Sequence, residues 1–164
     1  VPFSAVLEKQ SPAELWETIV DTLPGGHDVI VTGAPDDPAK NSTFRALLAR
    51  TNVTFNDSLF ESLAPLLRAA KLVVSADTAT MHLSVALGTP TLCLASAAYV
   101  NEIVPYAPEI SPANAHFIYT AMDCQSCLGQ CIHPAENGMY PCIAQIDPRR
   151  VTEQIRALLG DSPR

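Results

Sequence analysis

Apolar residues recur at helical spacing in several stretches of the chain, and short unbroken apolar runs lie between them. Leu15, Trp16, Ile19, Val20 and Leu23 predict a helix over residues 12–22. Ser11-Pro12-Ala13-Glu14 opens it as hydroxyl cap, first-position proline and early acid, and Pro24-Gly25-Gly26 closes it. Phe44, Leu47 and Leu48 predict a helix over residues 38–50, and Leu63, Leu66 and Leu67 another over 60–70, where Pro65 must lie in the first turn or at a bend. Val151, Ile155, Leu158 and Leu159 predict a last helix over 147–159 with Pro148 at its start. The runs Val29-Ile30-Val31 (within 28–32) and 91–95 read as strands covered on both sides, Val53-Thr54-Phe55 and Leu72-Val73-Val74 as short β-favouring runs, with further strands at 2–7 and 116–120 and a helical turn at 100–106.

Strands that alternate with helices imply right-handed crossovers and a parallel sheet with helices on both faces. The expected fold class is therefore α/β, a Rossmann-like three-layer sandwich. The length favours one domain over residues 1–164, with a cysteine-rich loop at 123–142. No internal repeat or low-complexity segment is present, and residues 97–112, rich in Pro and Ala, are the loosest region.

Residues 71–90, KLVVSADTATMHLSVALGTP, concentrate the candidate chemistry as strand, polar turn and helix. Asp77 and Thr78 stand where the helix begins, and Met81, Val85 and Leu87 continue it to Gly88-Thr89-Pro90. Helix starts carry unpaired N–H groups and partial positive charge, so the N–H groups from Thr78 through Ala79 and Thr80 to Met81 are placed to hold a phosphate or pyrophosphate. Asp77 would accept from ligand hydroxyls and His82 would donate to a ligand oxygen. The alternative reading makes Asp77 or Thr78 an ordinary helix cap and His82 a structural hydrogen-bonding residue. Gly33-Ala34-Pro35-Asp36-Asp37, a Gly-led acidic turn after a strand, is a second ligand address. Neither G-x-G-x-x-G nor a Walker motif occurs, so a phosphate site here is of another type.

Composition narrows the partners. A formal net charge of -7 leaves no basic surplus to displace counterions from a nucleic acid or an anionic membrane. No apolar run approaches the roughly 20 residues needed to span a bilayer, and the first residues lack the order of a signal peptide. A chain that starts with Val1 after no Met is expected to be a piece of a longer polypeptide. Cys124, Cys127, Cys131 and Cys142, with His133 among them, are numerous enough for a tetrahedral zinc site; reduced thiols and disulfides stay open beside it. Cys93, in an apolar strand, reads as a small core residue.

D-T-A-T-M-H-L-S-V-A-L-G-T-P-T resembles the D-[ST]-G-x-x-H-[LI]-A-x-A-x-G-x-P signature of glycosyltransferase family 9, the ADP-heptose lipopolysaccharide heptosyltransferases. Asp77, Thr78, His82, Leu83, Ala86, Gly88 and Pro90 match it in type and spacing. F-N-D-S-L-F-E-S-L-A-P-L-L-R-A-A-K-L-V-V-S-A-D, V-I-V-T-G-A-P-D-D and I-D-P-R-R-V-T-E-Q-I are similar to the family's approach to that signature, its acidic turn and its last helix. The resemblance implies the C-terminal, donor-binding half of a GT-B glycosyltransferase, acting without a metal cofactor on an ADP-sugar, with a glycan or lipid-linked acceptor held by an N-terminal domain. A cytoplasmic location, peripheral at the inner membrane in the full-length protein, goes with it. It implies donor-site roles for Asp77, Thr78, Ala79 and His82, and a ribose-binding role at Asp37, one methylene shorter than the family's Glu. Ala79 stands where the family has Gly, and no residue here matches a catalytic base. A non-catalytic nucleotide-sugar module and a cysteine-stapled interaction domain are the alternatives.

Overall fold

The computed structural model describes residues 1–160. Its elements run α1 (Ala13–Thr22), β1 (Val29–Thr32), α2 (Asp37–Lys40), α3 (Arg45–Leu48), β2 (Val53–Asn56), α4 (Phe60–Ala69), β3 (Val73–Ala76), α5 (Ala79–Ala86), β4 (Thr91–Leu94), β5 (Ala115–Ile118), α6 (Pro141–Ala144) and α7 (Pro148–Leu159). All strand pairs are parallel: β1 with β2, and β3-β4-β5 in that order. The fold is Rossmann-like, as expected. β4 shows the layering directly, because successive strand residues point to opposite faces. Leu92 and Leu94 join the main core with Trp16, Ile19, Val151 and Ile155 of α1 and α7, whereas Cys93 packs with Met81 and Val85 of α5.

Among the described residues the two sheets are not bonded to each other. Val1 lies beside β3, donating to the Val74 carbonyl at 2.6 Å and accepting from the Ala76 N–H at 3.0 Å. Toward the strands' amino ends an apolar cavity of about 430 Å³ opens, lined by Val1, Trp16, Val29, Leu66 and Val73 among others. Trp16 is buried there, and its indole N–H has no partner among the described residues.

Some local readings are corrected. Residues 2–7 form no strand: Pro2 has no N–H to give a ladder, the Ser4 hydroxyl accepts from the Val6 N–H at 3.2 Å, and a 3₁₀ turn follows at Leu7–Lys9. Residues 38–50 are broken into α2, a 3₁₀ turn at Ser42–Phe44, and α3. Asn41 leaves helical geometry at the break (φ -118, ψ 68), its side-chain amide donating to the Asp37 carbonyl at 2.9 Å, the competition with the helix ladder that Asn side chains offer. Ser11 does not cap α1; the N-cap is Pro12, and the buried Ser11 hydroxyl has no partner among the described residues. Pro65 sits inside α4, beyond its first turn. The helical turn expected at 100–106 lies earlier, at Ala97–Tyr99, where the Ser96 hydroxyl accepts from the Ala98 N–H. At the other end of the chain Asp147 caps α7 through the Arg149 N–H at 2.9 Å, and Gly160 closes it at φ 79.

Leu47 is 1% exposed and Ile110 is 73% exposed. Leu47→Ala is expected to cost about 2–5 kcal/mol in urea denaturation, and Ile110→Ala under about 0.5 kcal/mol.

Candidate functional site

The carboxyl ends of β1, β2 and β3 open on a cleft of about 570 Å³. Gly33, Asp37, Thr78, Ala79 and Thr80 line it, so the structure brings together most of the residues singled out in the sequence. One wall is the turn after β1. The Asp37 carboxylate folds back to accept from the Ala34 N–H at 2.6 Å, which leaves its second oxygen free. Gly33 is required there by space: a Cβ would stand 2.5 Å from a Phe3 ring carbon and 2.7 Å from the Asp37 carboxylate.

The opposite wall is the start of α5. Thr78 is the N-cap in extended geometry (φ -141, ψ 168), but its side chain makes no cap bond; its hydroxyl lies 3.3 Å from that of Ser75. Among the described residues, the N–H groups of Ala79 and Thr80 have no partner. The Met81 and His82 N–H groups are already taken by the Thr78 carbonyl, at 3.0 and 3.4 Å. Met81 therefore departs from its expected place: its side chain is fully buried in the core and its N–H points back into the helix. The far end of α5 is fixed by the Asn114 amide, which donates to the Val85 and Thr89 carbonyls at 3.0 and 2.8 Å, and by the buried Ser84–Thr91 hydroxyl pair at 2.8 Å.

Asp77 is neither cap nor cleft residue. It is buried beneath the α5 start and bonded to the Lys9 ammonium at 2.8 Å, with side-chain exposures of 4% and 11%. Lys9 also sits 4.4 Å above the Tyr99 ring, a cation–π contact. The other Asp77 oxygen is 3.9 Å from His82 Nε2, and His82 Nδ1 is 2.7 Å from the Tyr106 hydroxyl. Burial first, and the nearby Asp77 carboxylate after it, push the Tyr106 phenol up, so it stays protonated. His82 thus stands between the Tyr106 hydroxyl and the Asp77 carboxylate, one ring nitrogen toward each.

Sequence reasoning missed Lys9, Tyr99 and Tyr106. The available signal was a lysine directly before a helix start in an acidic chain; nothing in the spacing tied it to Asp77, 68 positions away. The cysteines also separate. Cys93 is buried core, as expected, and desolvation pushes its thiol well up. Cys142 is buried in α6, its sulfur 3.4 Å from the Ser96 hydroxyl and away from the loop cysteines. All five cysteines are free thiols.

The sequence profile of glycosyltransferase family 9 (heptosyltransferase) matches residues 2–131. The fold is similar to that of E. coli ADP-heptose LPS heptosyltransferase II, with 22% identity, TM-score 0.65, and coverage of 96% of this chain and 44% of that one. It is also similar to E. coli heptosyltransferase WaaC with ADP-2-deoxy-2-fluoro heptose (21%, TM-score 0.62, 96% and 41%) and to the family 9 glycosyl transferase from Veillonella parvula DSM 2008 (23%, TM-score 0.66, 98% and 45%). This chain thus spans less than half the length of each. No curated protein matches it.

Breaking the Lys9–Asp77 pair from one side strands a buried charge. Lys9→Met is expected to lower stability by about 3–5 kcal/mol, and Lys9→Met with Asp77→Asn to lower it by less than the sum of the two single changes, read by chemical denaturation.

Proposed function

This chain belongs to glycosyltransferase family 9, and on that premise we propose that its cleft holds the nucleotide-diphosphate sugar, an ADP-sugar, in a glycosyl transfer completed by polypeptide outside this chain. The observation that carries the reading is the pair of unpartnered N–H groups at Ala79 and Thr80, at the positive end of α5 and at the carboxyl ends of parallel strands. A pyrophosphate seated there receives two charge-assisted hydrogen bonds. Asp37 lines the same cleft and suits a ribose hydroxyl. His82, in the first turn of α5 and partly exposed, is placed to hydrogen-bond a ligand oxygen.

The same parts suit the chemistry. As the bond from sugar to diphosphate breaks, negative charge grows on the leaving phosphate, and N–H dipoles already aimed at it stabilise that charge without reorganising. Asp77 acts from beneath, holding Lys9 under the turn rather than touching the donor. No side chain of this chain is assigned as base. The acceptor, a glycan or lipid-linked hydroxyl, is presented from outside it. No helix among the described residues is long and apolar enough to cross a membrane.

Isothermal titration with ADP and an ADP-sugar is the test. The unaltered chain is expected to bind, and Asp77→Asn to bind more weakly. Ala79→Pro, at a first helical position preceded by extended Thr78, removes one N–H with the helix intact and is expected to weaken binding by roughly 10–100-fold. Equal, undetectable binding by the unaltered chain and Asp77→Asn overturns the reading. Transfer of sugar by the full-length protein separates an enzyme from a binding module.

A further inference from the structure

The loop between β5 and α6 gathers a set of side chains with no place in the cleft. Asp123 Oδ1 lies 2.5 Å from His133 Nε2, and the ligand atoms of Asp123, Cys124 and His133 all lie within 4.8 Å of one another. Cys131 brings a second sulfur 3.9 Å from that of Cys124. Two Zn–S bonds of about 2.3 Å at a tetrahedral angle require sulfurs about 3.8 Å apart, so the two thiols already stand at zinc spacing. A disulfide would need them at about 2.05 Å.

The backbone around them is wound tightly. Ser126, Leu128 and Gly129 have φ of 66, 52 and 85, left-handed values that side-chain-bearing residues hold only when their surroundings fix them. Part of that fixing is visible: the Ser126 and Leu128 N–H groups bond the Ala97 and Ala98 carbonyls at 3.0 and 2.9 Å, and the Ser126 hydroxyl bonds the Val100 carbonyl. None of Asp123, Cys124, Cys131 and His133 is fully buried, so an ion can reach them.

We propose that Cys124, Cys131, His133 and Asp123 form a structural zinc site that ties residues 123–133 into one turn. Binding forms two Zn–S bonds, one Zn–N bond and one Zn–O bond, and releases two thiol protons to solvent; no oxidant or reductant is involved. His133 and Asp123 exchange their mutual hydrogen bond for the metal, moving apart by under about 1 Å. The site would brace Tyr99 from behind: the loop bonds to Ala97 and Ala98, and Gly129 approaches the Tyr99 hydroxyl to within 3.6 Å of a Cβ position. Tyr99 in turn carries Lys9. The inference stands independently of the donor reading.

Metal analysis of the full chain, purified under reducing conditions without chelator, is expected to give about one zinc per chain. Cobalt refilling of the stripped protein should give the visible bands of a tetrahedral thiolate site. Cys124→Ser, Cys131→Ser, His133→Ala and Asp123→Ala should each lower zinc content several-fold, whereas Cys127→Ser and Cys142→Ser should keep it. Less than about half an equivalent in both the isolated and the zinc-refilled protein overturns the site, as does a Cys124–Cys131 disulfide found by non-reducing peptide mapping. Loss of zinc in Cys127→Ser with retention in Asp123→Ala overturns the ligand set. Should a variant fail to fold, stripping and refilling the unaltered protein decides alone: a thermal shift restored by zinc supports the site, and none overturns it.

Discussion

A lysine and an aspartate that meet out of water, 68 positions apart, hold the functional end of this molecule together. Each ion alone would be costly to bury, and the pair is tolerable because the contact is direct and a Tyr99 ring closes over the ammonium. Lys9 comes from the turn before α1, Asp77 from the turn after β3, and Tyr99 from the turn after β4. The pair thus joins three loops that the parallel topology delivers to one edge but does not itself bond. It also fixes the direction of the α5 start, since Asp77 immediately precedes the N-cap.

From that anchor the cleft follows by elimination of alternatives. The first residues of α5 have no side-chain cap, so two N–H groups face outward; the third and fourth are consumed by the Thr78 carbonyl. The opposite wall is held by the Asp37 carboxylate on the Ala34 N–H and by the close approach of Phe3 to Gly33. Anion-seeking backbone on one side and an acidic side chain on the other make a cleft that distinguishes the two ends of a ligand. In the proposed donor complex the phosphate would lie against α5 and a hydroxyl-bearing sugar ring against the β1 turn.

Much of this was legible in the sequence where local chemistry decides local structure. The β4 run, the α5 start, the last helix with Pro148 at its start and the Gly33–Asp37 turn each read correctly because the residues that determine them are neighbours in the chain. The misreadings have the opposite character. Residues 38–50 have a helical apolar pattern, but Asn41 turns its side chain onto the backbone and splits the segment. Ser11-Pro12 has the form of a cap, yet packing buries the hydroxyl instead. Met81 fell within a run of candidate donors, although helical geometry places its side chain under the sheet. Lys9 was invisible because its meaning lies wholly in a partner that only the fold supplies. The cysteines were recognised as a group, but sequence spacing could not separate buried Cys142 from the loop.

Trp16 gives the molecule an optical property. It is the one tryptophan of the sequence, and it is packed in the core between α1 and the strands, on the side away from the cleft. Its emission therefore records whether α1 is docked, and is blind to what occupies the carboxyl edge of the strands. Intrinsic fluorescence and ligand titration report on separate halves of the same molecule, so a variant that has lost its ligand can be told from one that has lost its fold in a single cuvette.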